Sequence, residues 1–179
     1  MKRFLLMTIL VLFPMLGSKA QFYSASTNAL LLGTGTLNGE VSMTLNRNWS
    51  LHGSLSLNPW KVERFRIQHI AFQPQIRWWA QESYRGLFVG SHMLMAGYHI
   101  GIPSIMKEKY EGVALGGGLG LGYAWTLNEK WNIEAQTGLS YLYASYYRSK
   151  CRTCALRTSA PRKGFLAPTN IAISLVYLF

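Results

Sequence analysis

The chain has 179 residues, of which 49% are hydrophobic and 13% aromatic, and its 18 lysines and arginines against 7 acidic residues give a net charge of +11. This apolar content excludes an intrinsically disordered chain, and the length suits one domain. A basic balance of this size can indicate nucleic-acid binding, but the patterns below favour anionic lipid head groups, so no nucleic-acid partner is expected.

The first 20 residues have the organisation of a secretory signal peptide. Lys2 and Arg3 precede an apolar run over residues 4–16, and Ser18 and Ala20 supply small residues before a cleavage site. The run is shorter than the roughly 20 apolar residues that a membrane-spanning helix needs. We therefore expect an exported protein with a signal peptide over residues 1–20 and one domain over residues 21–179. An uncleaved anchor helix is the alternative.

Alternation of apolar and small or polar residues predicts eight β-strands after the signal peptide. The predicted strands cover about residues 24–33, 39–45, 49–58, 67–80, 86–100, 113–127, 131–143 and 169–179. Pro74 is expected to interrupt the fourth strand through a bulge or irregular pairing. The fifth strand is apolar on both faces, and Leu87, Val89, Met93 and Met95 are assigned to its outward face.

The sixth predicted strand has the clearest pattern. Between Val113 and Leu127, large apolar residues alternate with small ones, and Gly116, Gly118 and Gly122 share the small face. A soluble sheet would present a polar face opposite the bulky one. We interpret the bulky face as lipid-exposed and the small face as lining a crowded barrel interior, where the glycines make room for side chains from other strands.

Short and long connections alternate along the chain. Residues 46–48, 81–85 and 128–130 form short predicted turns, whereas residues 59–66, 101–112 and 148–166 form longer loops. Transmembrane barrels follow this rule, with short periplasmic turns and longer outer loops. Five aromatic residues fall at the short-turn ends, where a periplasmic aromatic girdle is expected. They are Trp49, Trp78, Trp125, Trp131 and Phe179.

These patterns predict an all-β fold, an eight-stranded antiparallel up-and-down transmembrane β-barrel in the outer membrane. Eight strands enclose a lumen that side chains fill, which argues against a porin. The last strand ends on Phe179, with apolar residues at every second position before it. This resembles the signal that outer-membrane barrels present to the barrel-assembly machinery. A soluble periplasmic barrel that binds a small ligand is an alternative.

Alternation also assigns a set of polar residues to the lumen. Because buried charges must be paired, the arginine and the two glutamates of this set are expected to form an ion cluster. Its three histidines lie on different strands without short ligand spacing, so hydrogen-bonded histidines are expected rather than a metal site, and no cofactor is predicted. A proton or substrate site is the alternative interpretation. The set comprises Glu40, His52, His69, Arg77, His92 and Glu134.

Ser91 and His92 invite comparison with barrel lipases that deacylate lipid A, which use a serine, a histidine and an acidic residue. Adjacent residues of a strand point to opposite faces, so these two cannot form a dyad with each other. We therefore expect a non-enzymatic protein, and a lipid-modifying barrel enzyme of the lipid A deacylase type is the alternative.

The longest predicted loop, residues 148–166, combines the only two cysteines with a basic patch. Cys151 and Cys154 form a C-x-x-C motif. Outside the cytoplasm a loop disulfide is favoured over a redox centre or half of a metal site. The patch predicts contact with lipopolysaccharide phosphates or an acidic surface partner, with a solvated loop as the alternative. Its residues are Arg148, Lys150, Arg152, Arg157, Arg162 and Lys163.

Several segments resemble domain-of-unknown-function family 3575. The similar segments are residues 58–60, 74–79, 86–92, 97–98, 120–125 and 131–134. Together they extend over nearly the whole exported domain. The family occurs mainly in Bacteroidota and is taken to consist of small outer-membrane β-barrels without an established activity. The resemblance therefore implies a structural or surface-interaction role.

Overall fold

The structure of the protein, a computed structural model, describes residues 23–62, 65–101, 109–149, 158–159 and 163–179. The predicted signal peptide and the predicted Cys151–Cys154 disulfide lie outside these ranges. Within them, no helix is both long and apolar enough to cross a membrane.

Within these ranges, eleven strands and one short helix follow one another along the chain. They are β1 (Tyr23–Asn28), α1 (Ala29–Gly33), β2 (Leu37–Asn46), β3 (Trp49–Asn58), β4 (Lys61–Val62), β5 (Phe65–Trp79), β6 (Gly86–Gly101), β7 (Lys109–Thr126), β8 (Trp131–Ser149), β9 (Thr158–Ser159), β10 (Lys163–Pro168) and β11 (Ala172–Leu178).

The strands close into an eight-stranded antiparallel barrel, as predicted. Seven long strands pair in chain order, from β1 through β2, β3, β5, β6 and β7 to β8. The eighth position is shared by β10 and β11, which both pair with β8, and β11 closes the barrel by pairing with β1. The two-residue strands β4 and β9 pair with β5 and β8 at the end that carries the longer connections.

The strands β2, β3, β5, β6, β7, β8 and β11 have an apolar outer face that is exposed, whereas the outer residues of the six-residue β1 are half-buried. On β7 the side chains of Leu119 and Leu121 are 66% and 57% exposed, whereas the inward Ala124 is buried. On β6 the four residues assigned outward, which include Leu87 and Met93, are all at least 40% exposed, and the inward Phe88 is fully buried. Period-two alternation therefore correctly predicts which side chains point outward, even in β6, which is apolar on both faces.

The five aromatic residues of the predicted girdle are exposed and lie at the short-turn end. Trp49 and Trp78 are direct partners across β3 and β5. The ring of Trp131 lies 4.9 Å from that of Tyr177, and Phe179 stacks on Tyr177 at 6.1 Å. The aromatic residues thus form contacts around one rim of the barrel.

The first predicted strand, residues 24–33, is too long. β1 ends at Asn28, whose side chain accepts a hydrogen bond from the backbone N–H of Leu30 at 3.0 Å and so caps α1. The Asn38 side chain bonds both the N–H and the carbonyl of Asn28, which fixes the reversal of the chain. Leu30 to Leu32 are consecutive leucines without alternation, a pattern that suits a helical turn better than a strand.

The boundary of the last loop is also wrong, because strands extend into it. β8 continues to Ser149 and β10 starts at Lys163, so two residues of the basic patch, Arg148 and Lys163, lie in strands. From Pro168 to Ala172 the last strand advances four residues while β8 advances three, from Leu139 to Gln136. This one-residue bulge changes the facing of the strand.

Pro74 produces the irregular pairing predicted for it, without a bulge. It pairs in register with Gly53 of β3. On the β6 side, pairing stops at Phe72–Met95 and resumes at Gln75–His92 with an unchanged register. Because proline has no N–H to donate, it lies where the ladder toward β6 is interrupted.

The inward glycines of β7 allow close approach of β8. A Cβ at Gly118 would collide with the carbonyl of Leu139 and lie 2.7 Å from the Cα of Ser140, and one at Gly116 would collide with the carbonyl of Tyr141. The room they create is therefore taken mainly by the backbone and side chains of the neighbouring strand. At Gly122 the nearest atom is Cζ of the Phe88 side chain on β6, so this glycine makes room for an inward side chain of another strand, in line with the prediction.

Candidate functional site

An aromatic layer fills the lumen at the short-turn end. The Trp79 ring lies 4.6 Å from Phe88 and 5.7 Å from Tyr84, and all three side chains are buried. Asn132 donates to the carbonyl of Tyr84 at 2.7 Å, and the Tyr84 hydroxyl bonds Ser42 at 2.7 Å. Burial raises the pKa of the Tyr84 phenol, which keeps it in the neutral form that can donate.

The central feature of the lumen is an arginine between two carboxylates. Arg77 donates through Nη1 to Glu134 Oε2 at 2.8 Å and through Nη2 to Glu40 Oε1 at 3.0 Å. The same Nη2 donates to Gln75 Oε1 at 3.0 Å, and the guanidinium lies 4.8 Å over the Phe88 ring. Arg77 is 2% exposed, so its charge is neutralised by these partners rather than by solvent.

His52 links the arginine cluster to the aromatic layer through a continuous chain of hydrogen bonds. Trp79 Nε1 donates to Ser50 Oγ at 2.7 Å, Ser50 Oγ lies 2.7 Å from His52 Nε2, and His52 Nδ1 lies 2.8 Å from Glu40 Oε1. A neutral His52 with its proton on Nδ1 satisfies every member, since Ser50 then donates to Nε2 and Nδ1 donates to the carboxylate. The chain fixes the orientation of Glu40.

A second polar group involves β6, β8 and the residue that follows β10. His92 Nε2 is 2.7 Å from Ser140 Oγ and 3.2 Å from Thr169 Oγ1, and the two hydroxyls are also hydrogen-bonded to each other. The bulge after Pro168 turns Thr169 into the lumen, whereas alternation assigns it to the outer face. Within the described residues, Nδ1 of His92 has no hydrogen-bond partner, so no carboxylate orients the histidine.

Four of the six predicted lumen residues meet in one cluster. Glu40, His52, Arg77 and Glu134 are in direct contact, whereas His92 belongs to the group with Ser140. His69 is half-buried and lies apart, opposite Asn58 on β3.

A cavity of about 290 Å³ lies in the half of the lumen away from the short turns. Glu40 is at its floor, and His69 and Gln73 of β5 line one side. Part of the wall comes from Leu31 of α1 and from the bulge residues near Asn170, where α1 replaces the end of β1. Serines and amide side chains make up most of the remaining polar lining: Ser26, Asn28, Asn38, Ser54, Ser56, Gln136 and Ser174.

The described residues contain no group of three or more histidines, cysteines or acidic residues that could hold a metal ion. Arg77 occupies the space between the two carboxylates that face each other. Of the predicted basic patch, Arg148 and Lys163 are on strands and the other four residues lie outside the described ranges.

Sequence reasoning missed several lumen residues that hold the site together. Trp79 lies two residues after Arg77, and Ser50 lies two residues before His52. Alternation therefore places both on the inner face, next to residues that the sequence predicts in the lumen. Thr169 had no such signal, because its inward position depends on the bulge.

A family model described as "Protein of unknown function (DUF3575)" matches residues 5–179. No curated protein matches the chain.

Proposed function

Because the chain belongs to DUF3575, a family of proteins of unknown function, we propose its role from the barrel itself: a non-enzymatic integral barrel of the outer membrane with a structural or cell-surface interaction role.

The apolar outer face is the observation that carries this proposal. Val41, Leu119 and Leu139 are each more than 60% exposed, and similar residues surround the barrel. Monomeric soluble proteins rarely expose continuous apolar surface on this scale, whereas a membrane barrel needs it. The inner face carries the buried charges, an arrangement opposite to that of a water-soluble barrel. The soluble, ligand-binding alternative is therefore the weaker one.

The packed lumen supports a structural role over transport by diffusion. The fully buried Trp79 and Phe88 lie on the short-turn side of the Arg77 cluster. Their ring centroids are 4.6 Å apart, which leaves no water-filled path between the two rings. An eight-stranded barrel has an interior just wide enough to be filled in this way.

The lipid-modifying alternative has one feature in its favour, the Ser140–His92 contact. His92 and Ser140 are only 2% and 1% exposed, so neither atom is accessible to a lipid. Nδ1 of His92 lacks a carboxylate partner among the described residues. A nucleophilic serine needs a base that a third group orients, so this geometry favours a packing role.

The proposal includes an export route and surface contacts. Residues 1–20 act as a signal peptide, the last strand is recognised by the barrel-assembly machinery, and the basic patch binds lipopolysaccharide phosphates or an acidic surface partner. The mature protein is then held in the outer membrane with its longer connections at the cell surface.

Cell fractionation tests the location. Expressed at low level in a Gram-negative host, the full chain is expected to sediment with the outer membrane and to stay there after an alkaline carbonate wash. A variant that lacks residues 1–20 serves as the control and is expected to remain inside the cytoplasm. Recovery of the full chain in the soluble periplasmic fraction would contradict the proposal.

Charge reversal tests the basic patch. The triple change Arg152→Glu, Arg157→Glu and Arg162→Glu is expected to weaken binding of the folded protein to lipopolysaccharide vesicles at least tenfold, since each contact with a phosphate is charge-assisted. The matched control reverses three basic residues of the short turns, Arg47, Arg85 and Lys130. Equal binding by the triple variant and the control would remove this part of the proposal.

A further inference from the structure

Burial of inward side chains changes abruptly along the barrel. In the short-turn half, Ser42, His52 and Gln75 are no more than 6% exposed. Two residues further along the same strands, Glu40, Ser54 and Gln73 are all partly exposed. Since these side chains face the lumen, their accessible surface lies toward the cavity. The lumen is therefore filled on the short-turn side of this boundary, and the cavity lies on the other side, next to β1, β2, β3 and β5.

A row of polar side chains forms the floor of the hollow half. Ser26, Glu40, Ser54 and Gln73 are successive partners across β1, β2, β3 and β5, so they line up perpendicular to the strands. All four line the cavity. The row offers a carboxylate, two hydroxyls and an amide, and among the described lining residues there is no lysine or arginine.

Glu40 is the one acidic residue among the described residues that line the cavity. It shares the Arg77 guanidinium with Glu134, and its other partner, His52, is satisfied in its neutral form. Of the Arg77 cluster, only Glu40 is among the described lining residues of the cavity, and its side chain is 19% exposed.

From this arrangement we propose that the cavity binds a small hydroxylated organic cation, an amine of hexosamine size whose ammonium group lies near Glu40. The volume of 290 Å³ corresponds to about ten water molecules, which leaves room for one such molecule. Hydroxyl groups of the ligand meet the serines and amides of the row, and the described lining offers no lysine or arginine to pair with an anion. This inference does not depend on the location of the barrel.

Calorimetric titration of the purified folded protein tests the proposal, with glucosamine as the probe. Glucosamine is expected to bind saturably, and glucuronate, an anion of the same size, is expected not to bind. Glu40→Gln is expected to weaken glucosamine binding at least tenfold, because it removes the cavity's carboxylate and keeps its shape. Glu82→Gln is the matched control: it changes an arginine-paired carboxylate in a short turn that does not line the cavity, and is expected to alter affinity less than threefold.

A second pair of variants keeps the test valid if Glu40→Gln does not fold. Ser56→Leu fills the cavity without touching the Arg77 cluster and is expected to abolish binding. Ser91→Leu makes the same change on the exposed outer face and is expected to leave binding unchanged. Absence of saturable glucosamine binding, equal binding of glucuronate, or full binding by Ser56→Leu would each overturn the proposal.

Discussion

Arg77 shows at the scale of one residue how a buried charge is accommodated in the barrel. It is 2% exposed and donates to two carboxylates on different strands. Such a cluster contributes little net stability compared with apolar residues of similar volume, because taking the charges out of water is costly. Removing only one partner is expected to destabilise the barrel strongly, because the remaining charges are then buried without compensation.

Arg77→Ala is therefore expected to lower the free energy of unfolding by about 3–5 kcal/mol, measured by urea titration of the folded protein in lipid vesicles. Arg47→Ala is the matched control, because Arg47 also lies 2.8 Å from a glutamate oxygen, that of Glu82, but is 77% exposed. Its cost is expected to be below about 1 kcal/mol.

Combining Arg77→Met with Glu40→Gln and Glu134→Gln extends this test. The triple variant is expected to recover most of the stability lost in Arg77→Ala, because it removes the charges together. Equal costs for Arg77→Ala and Arg47→Ala would show that the buried cluster is not what the barrel depends on.

At the scale of elements, the pair β7 and β8 explains how so small a barrel closes. The inward face of β7 lacks side chains at Gly116, Gly118 and Gly122, and the carbonyls of β8 occupy the space where Cβ atoms would be. Glycine in a strand often marks a tight bend or a close backbone approach. Here it lets two long paired strands curve together.

Gly118→Ala is expected to destabilise the protein by about 1–3 kcal/mol, the usual cost of overpacking, and to lower the yield of folded barrel. Gly117→Ala is the control at the preceding residue of β7, where an added Cβ would have no atom closer than 3.6 Å. Its effect is expected to stay within about 0.5 kcal/mol. Similar unfolding midpoints for the two variants in the same urea titration would refute the close-approach account.

The number of barrel strands, the facing of most of their residues and the lumen position of Arg77 and Glu134 follow from alternation alone, because period two is a property of the local chain. The bulge after Pro168 was not predictable in this way, since it depends on how the last strand pairs with β8. The helical turn α1 was missed for a similar reason. The chain leaves the strand at Asn28 because the side chain of Asn38, ten residues further along, bonds the Asn28 backbone. The cavity could not be predicted either, because its position depends on which inward side chains of different strands contact one another.

At the scale of the whole molecule, the barrel combines an apolar outside with a polar, partly hollow inside. The exposed leucines and valines extend along the strands, and the aromatic residues gather at the short-turn rim. We propose that this surface is matched to a bilayer, with the rim aromatics at the interface.

Two arginine substitutions test whether the outer face of the barrel contacts lipid or water. Leu119→Arg, near the middle of β7, is expected to cost about 2–4 kcal/mol of folding free energy in lipid vesicles. Leu127→Arg, on the same outer face beyond the end of the strand, is expected to cost at most about 1 kcal/mol. Both leucines are more than half exposed, so a barrel that folds in water would tolerate both changes equally.

The central claim, that this barrel folds in the outer membrane, is tested most directly by gel mobility of the outer-membrane fraction before and after boiling. A membrane barrel keeps its closed sheet in detergent until it is heated, so we expect two mobilities, with the unboiled sample migrating differently from the boiled one. Recovery of the protein as a soluble species with a single mobility under both conditions would contradict the account.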